Sequence, residues 1–247
     1  MRQNKENRQI MLCVKKVKNY AELSKEIAQE IIGQLKRKPS SVLALASGNT
    51  PRGAYKELAK AYGKRKVSFS RAYFVELDEY IGASDERDTL THYFEKNLFA
   101  KFNFKKKNIM LFNTDRPLRT ECARFESFIA RKGIDLLLLG IGANAHIGFN
   151  EPGASFVSKT RVVKLKRSTI ERKRKGMKGR PPRRAITLGL STLMKAKRIV
   201  LAASGAEKAK AISKTLKGKP NKNIPSSILR NHKNATIIVD EDAGKLI

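Results

Sequence analysis

Cysteine is nearly absent from this chain: Cys13 and Cys122 are the only two in 247 residues. Two are too few for a disulfide framework or a cysteine-based zinc site. Cys13 falls in the apolar patch Ile10-Met-Leu-Cys-Val14, which predicts a buried, reduced thiol. Long hydrophobic runs are also missing. No stretch of about 18 apolar residues exists, so no transmembrane helix is expected. The first ten residues are polar and lack the apolar core of a signal peptide. The expectation is a cytoplasmic protein with residues 1–10 as a polar N-terminal extension. No Gly-x-x-x-x-Gly-Lys-Ser/Thr loop occurs, and Gly140-Ile-Gly142 is not followed by the third glycine of a dinucleotide fingerprint. No nucleotide cofactor is implied. His146 and Glu151 have no third ligand at metal-binding spacing, so no metal is expected.

Acidic residues are scarce relative to basic ones. The chain carries 53 Lys+Arg against 22 Asp+Glu, a formal charge of +31. Such a field draws anions, whether phosphorylated metabolites, RNA or acidic membranes. The densest basic cluster, Lys164 to Arg184, contains no aromatic residue. Single-stranded nucleic-acid sites interleave aromatics with their charges. The charge therefore reads mostly as solvated surface, and any nucleic-acid binding should be weak and salt-sensitive.

What is present is an alternation of strands and helices. Leu23, Ile27, Ile31 and Leu35 lie at helical spacing within 21–36. Further helices are expected over 52–62, 89–99, 121–131 and 207–216. Strands are expected over 41–46, 73–77, 109–112, 134–139, 185–188, 198–202 and 235–239. Strands separated by helices of ten or more residues imply βαβ units and a mostly parallel sheet. No internal repeat or domain boundary is visible, and 166–184 reads as a mobile surface segment. The predicted class is α/β, one Rossmann-like domain with helices on both faces of the sheet.

Several chemistry-bearing loops follow the strands, where ligands collect in open α/β sheets. Ser47-Gly-Asn-Thr-Pro51 can turn at Gly48, cap with Thr50 and open a helix at Pro51. The N–H groups of such a helix start suit a phosphate, although a plain helix cap reads equally well. Asp78-Glu79 ends a strand and offers a general base or surface decoration. The richest loop is Gly140 to Gly153, after Leu136–Leu139. It places Asn144, His146, Asn150 and Glu151 together, a pattern suited to proton handling. Ser204-Gly-Ala-Glu-Lys208 repeats the strand, glycine turn and helix start, now with a lysine.

In this order, these motifs resemble the glucosamine-6-phosphate deaminases from about Met11 onward. Ser47–Pro51 is similar to the family's phosphate loop, and Leu77-Asp-Glu-Tyr-Ile-Gly82 to its catalytic-base motif. His146-Ile-Gly-Phe-Asn-Glu-Pro-Gly153 is similar to its central active-site loop and is highly specific. Ser204–Lys208 resembles the second phosphate contact. Ile224-Pro-Ser-Ser-Ile-Leu229 and Val239-Asp-Glu-Asp-Ala243 resemble the closing segments. The resemblance implies a sugar-phosphate deaminase/isomerase domain over 11–247, converting glucosamine 6-phosphate and water to fructose 6-phosphate and ammonia without a cofactor.

By the same resemblance, His146 opens the sugar ring, Glu151 and Asn144 join it in a proton relay, and Asp78 removes the C2 proton. Ser47, Gly48, Asn49, Thr50 and Lys208 hold the phosphate, with Lys175 as a further basic ligand. Asn144 stands where some members carry aspartate, and Ala145 replaces a glycine. If position 145 needs positive φ, alanine costs about 1 kcal/mol. The chain ends soon after Ala243, so the C-terminal extension of allosteric hexamers is not expected, and homo-oligomerisation stays open. The alternatives are a 6-phosphogluconolactonase, which is not expected to carry Phe149-Asn-Glu-Pro152, and a non-catalytic sugar-phosphate-binding protein.

Overall fold

A computed structural model describes residues 12–174 and 176–247. The extension 1–10 and Lys175 lie outside the described residues. Helix α1 (Tyr20–Arg37) starts at Asn19, whose side chain accepts the Glu22 N–H at 3.1 Å. Leu23, Ile27, Ile31 and Leu35 are all buried, so the apolar stripe faces the core as its spacing requires. Seven strands form the main sheet: β1 (Cys13–Val17), β2 (Val42–Ala44), β3 (Tyr73–Val75), β5 (Ile109–Met110), β6 (Leu136–Gly140), β9 (Ile199–Ala203) and β10 (Ala235–Asp240). Their order is β1-β10-β9-β6-β2-β3-β5, and every pairing is parallel. All residues of β9 and β10 are buried. Strands buried throughout need cover on both faces, which is why they read as unbroken apolar runs. The single mostly parallel α/β domain expected from the alternation is the fold observed.

Three strands lie outside that sheet. β4 (Asp78–Ile81), β8 (Arg184–Thr187) and β7 (Arg161–Lys164) form an antiparallel sheet in the order β4-β8-β7. The predicted strand 73–77 therefore stops at Val75, and Asp78 opens a new strand rather than closing the old one. Its pairing with Thr187 fixes its position. The segment 166–184, expected as surface chain, contains helix α5 (Arg167–Arg174). Cys13 is exposed rather than buried. It sits on β1, which among the described residues pairs with β10 alone and is open along most of its length.

The chain runs from β2 outward to β3 and β5, then returns to place β6 on the other side of β2. This reversal is a topological switch point, and a crevice opens there beyond the carboxyl ends of the strands. At the opposite end, the buried Asp135 carboxylate fastens the two strands. It accepts the Val42 N–H at 2.9 Å and binds Lys38 Nζ at 2.7 Å and Lys197 Nζ at 2.9 Å. Burial opposes its ionisation, but these donors outweigh burial and hold the carboxyl below its usual range. Replacing Asp135 with alanine strands the Val42 amide in the interior. The expected cost is about 1–3 kcal/mol of stability, read as a lower urea midpoint with an unchanged m-value. An Asp135→Ala protein as stable as the parent contradicts this role.

Candidate active site

The β2 loop leads into helix α2 (Arg52–Gly63). Gly48 adopts φ 98°, a conformation in which L side chains are strained. Pro51 occupies the cap position with αR geometry, and no side chain caps the helix. Thr50 does not fill the capping role expected of it, because it lies one residue too far out. Ser47, Gly48, Asn49 and Thr50 instead line a cavity of about 850 Å³ at the switch point.

The β6 loop forms the facing wall. A tight turn joins Gly142 N–H to His146 C=O and Ala145 N–H to Gly142 C=O, both at 2.9 Å. Ala145 takes φ 67°, so the positive φ suspected from its place in the motif is real, with a cost of about 1 kcal/mol. Its carbonyl accepts the Ser226 N–H at 3.1 Å, which ties the turn to the Ile224–Leu229 segment. The imidazole of His146 lies directly over Gly142. A Cβ at Gly142 would sit 2.2 Å from His146 Cε1.

Asn144 joins the histidine to the carboxylate. Its Nδ2 donates to Glu151 Oε2 at 2.7 Å, and its Oδ1 meets His146 Nδ1 at 2.6 Å. An amide oxygen can only accept, so Nδ1 carries the proton and Nε2 is left basic. Glu151 Oε2 lies 3.6 Å from Nδ1, too far for a hydrogen bond but close enough to stabilise an imidazolium. The second oxygen, Oε1, accepts from Thr169 Oγ1 of α5. Burial disfavours the Glu151 anion, yet His146, Thr169 and Asn144 outweigh it and bring the carboxyl down to about 2.

Adjacent residues on a strand face opposite ways, which separates Asp78 from Glu79. Glu79 turns inward and accepts the N–H groups of Tyr80, Leu90 and Thr91 at 2.6, 2.8 and 2.7 Å. It caps helix α3 (Leu90–Phe94) and is a structural acid. Asp78 lines the cavity. Its Oδ2 lies 3.2 Å from the place a Cβ on Gly148 would take, so glycine lets the carboxylate approach the histidine loop.

The fourth wall comes from β9. Gly205 N–H donates to Asp240 Oδ1 at 3.1 Å, and Ser204 Oγ donates to Oδ2. This holds the turn that delivers half-buried Lys208 to the cavity. The structure thus gathers residues 47–50, Asp78, His146 and Lys208 around one cavity, with Asn144 and Glu151 behind the imidazole. Lys175 lies outside the described residues. Arg52 and Lys56 also line the cavity and were missed. They are four apart at the start of a helix, so they share a face, and that spacing was the available signal. Thr169 carried no comparable one, and Asp240 was visible only within the Val239–Ala243 segment of the family resemblance. Among the described residues, no group of three or more His, Cys, Asp or Glu is placed to hold a metal.

The Glu151 value sets a pH dependence. Its carboxyl lies at about 2 in the fold against 4.5 ordinarily. A depressed folded value adds stability that is complete above the ordinary value and fades as pH falls toward the folded one. The stability gap between the parent and Glu151→Gln should be widest above about pH 5 and narrow steadily toward about pH 3. Urea unfolding across that range measures it, and a flat gap rejects the assignment.

Comparison with known proteins bears on this geometry. The family described as glucosamine-6-phosphate isomerases/6-phosphogluconolactonase matches residues 15–238. The chain is 45% identical over 234 residues to the glucosamine-6-phosphate deaminase of Thermoanaerobacter sp. (strain X514), covering 93% of this chain and 92% of that protein. It is 43% identical over 236 residues to the deaminase of Clostridium acetobutylicum, covering 94% and 98%. A solved monomeric glucosamine-6-phosphate deaminase superposes with a TM-score of 0.92 at 36% identity, covering 96% of this chain and 100% of that one. The 6-phosphogluconolactonase of Trypanosoma brucei shares the fold, with a TM-score of 0.75 at 18% identity and coverage of 96% and 98%. On a match this long, the chain belongs to the glucosamine-6-phosphate isomerase/6-phosphogluconolactonase family.

Proposed function

We propose that this protein converts glucosamine 6-phosphate and water to fructose 6-phosphate and ammonia. The observation that carries the reading is the pairing of two proton-handling groups in one cavity. His146 sits on the Asn144–Glu151 relay, and Asp78 reaches the Gly148 position two residues along the same loop. The phosphate rests against residues 47–50 and Lys208, with Arg52 and Lys56 adding positive charge. Lys175 is a further phosphate ligand in this reading.

The steps follow from the protonation states. Nε2 of His146 takes the proton of the O1 hydroxyl and returns it to the ring oxygen as the C1–O5 bond breaks. The Glu151 charge stabilises the imidazolium between those two events. Asp78 then removes the C2 proton of the open aldose, giving an enolamine. The same proton returned to C1, as a proton of the amine passes to the O1 oxygen, produces a ketose imine. Water adds at C2, and ammonia leaves. No cofactor enters this sequence.

The domain is assigned to 11–247, with 1–10 as an extension. The workplace is the cytoplasm, where sugar phosphates are made and consumed. Among the described residues no helix is long and apolar enough to cross a membrane. A specific nucleic-acid partner has no support in the site, and oligomerisation is not needed to complete the cavity.

Ammonia release from glucosamine 6-phosphate, run beside hydrolysis of 6-phosphogluconolactone, tests the assignment. Asp78→Asn should lower kcat by about 10²–10⁴-fold. Lactone hydrolysis without ammonia release identifies a lactonase instead. Gly142→Ala offers a second test, since its Cβ occupies the space of the imidazole. Displacing His146 by about 1 Å should cost about 10²-fold in kcat. A folded Gly142→Ala protein with parental kcat shows that the position of His146 is immaterial.

A further inference from the structure

Three tyrosines from three helices converge on one loop. Tyr55 of α2 donates its hydroxyl to Ala46 C=O at 2.5 Å. Tyr93 of α3 donates to Gly48 C=O at 2.7 Å. Tyr20, at the start of α1, donates to Asn49 C=O at 2.9 Å, and its oxygen accepts the Gly53 N–H at 2.8 Å. Three of four consecutive carbonyls, from Ala46 to Asn49, are therefore tied to phenols. Nothing in the proposed chemistry uses these tyrosines.

The carbonyls bear partial negative charge, so their direction decides what the loop can bind. Tyr55 and Tyr93 do not line the cavity, whereas Tyr20, Ser47, Gly48, Asn49 and Thr50 do. The Ala46 and Gly48 carbonyls thus point to the far side of the loop. A loop whose carbonyls are turned back offers its hydroxyls and amides to the cavity, the arrangement an anion requires. A peptide flip at Gly48 would aim a carbonyl at the anion, and glycine is the residue most able to flip. The Tyr93 hydroxyl holds that peptide.

The clamp is braced as a unit. The Tyr55 and Tyr93 rings meet edge to face at 6.5 Å, and the Arg52 guanidinium lies 6.0 Å from the Tyr93 ring centre. Burial pushes the Tyr55 phenol well above its usual value, with a smaller push from Tyr93. Burial likewise raises Tyr93 to about 12, against the opposing charge of Arg52. Both remain protonated donors at neutral pH. Gly53 gives Tyr20 and Ser24 room to approach, since a Cβ there would meet Ser24 Oγ at 2.1 Å and Tyr20 Oη at 2.9 Å.

We infer that Tyr55 and Tyr93 are positioning residues that lock the Ala46 and Gly48 carbonyls away from the cavity and so make the loop selective for a phosphate group. This rests on the proposed reading of that loop as the phosphate site. The mechanism predicts a split in kinetics. Removing a hydroxyl frees a carbonyl without touching Asp78 or His146. Binding of the phosphate weakens, while turnover of bound substrate holds.

The test uses Tyr55→Phe and Tyr93→Phe in the full chain, with inorganic phosphate as the probe by calorimetry and KM and kcat by ammonia release. Each variant should weaken phosphate binding and raise KM by about five-fold, with kcat within about two-fold of the parent. The double variant should exceed either single one. Parental phosphate affinity in both variants overturns the inference while leaving the loop as the phosphate site. A fall in kcat with unchanged phosphate affinity overturns it as well, and assigns the tyrosines to general packing. Tyr55 is fully buried and Tyr93 half-buried, so Tyr93→Phe decides the matter if Tyr55→Phe does not fold. A separate arm tests the underlying reading. A parent that binds no phosphate, with Thr50→Ala and Lys208→Ala leaving KM unchanged, removes the phosphate site itself and the clamp with it.

Discussion

The pairing of β2 with β6 is the contact on which the candidate site depends. Leu43 lies opposite Leu136, and Ala44 opposite Leu137, at the point where the winding of the sheet reverses. The anion loop leaves β2 and the histidine loop leaves β6. Their separation is therefore set by the strand spacing of about 4.8 Å, not by loop flexibility. A one-residue slip would turn each buried side chain to the opposite face. Asp135 guards against that slip at the far end, because its carboxylate reaches the Val42 amide only in this register. A buried carboxylate at one end of the sheet thus helps place an imidazole at the other.

Beyond that frame, the site is shaped by where a side chain is missing. Gly142 clears the floor under His146, and Gly148 clears the approach of Asp78. Ala145 breaks the pattern, with a positive φ that glycine would adopt without strain. Its cost of about 1 kcal/mol is comparable to one net hydrogen bond. The turn carries several, including those from Gly142 to His146 and from Ser226 to Ala145. The alanine is tolerated because the surrounding bonds leave the loop no competing conformation of similar energy. Asn144 adds a different rigidity. Its amide must donate to Glu151 and accept from His146, so it cannot flip without losing both bonds.

Much of this was legible in the sequence because it rested on periodicity or on a fixed motif. The apolar stripe of α1, the leucines of β6 and the loops after β2, β6 and β9 all fall where their patterns place them. What escaped was set by partners distant in the chain. β1 carries Cys-Val-Lys-Lys-Val on an exposed edge, where alternation has no core to report. β7 is a short, half-exposed strand whose pairing with β8 was not written in its composition. Asp78 was singled out and lies at the cavity, yet its strand was not foreseen, since the apolar run 73–77 and the acid read as one element until Thr187 is seen beside it. The phenol contacts to the 46–49 carbonyls could not be read at all, for a tyrosine does not announce its acceptor.

Charge closes the account, because several of the few acids are spent internally. Asp135, Glu151 and Asp240 are buried on named donors, and Glu79 caps a helix. Their removal from the surface leaves the exterior more basic than the composition implies, and a phosphate approaching within a Debye length of about 8–10 Å meets that field. Inside, the problem is the reverse, since Glu76, Asp78 and Glu79 crowd one corner. Burial first, then the charges of Glu79 and Asp78, push Glu76 upward against the Phe112 amide and Thr91 hydroxyl that favour its anion. Burial raises Glu79 as well, against the three amides that favour its anion. Asp78 is the acid of that corner that lines the cavity.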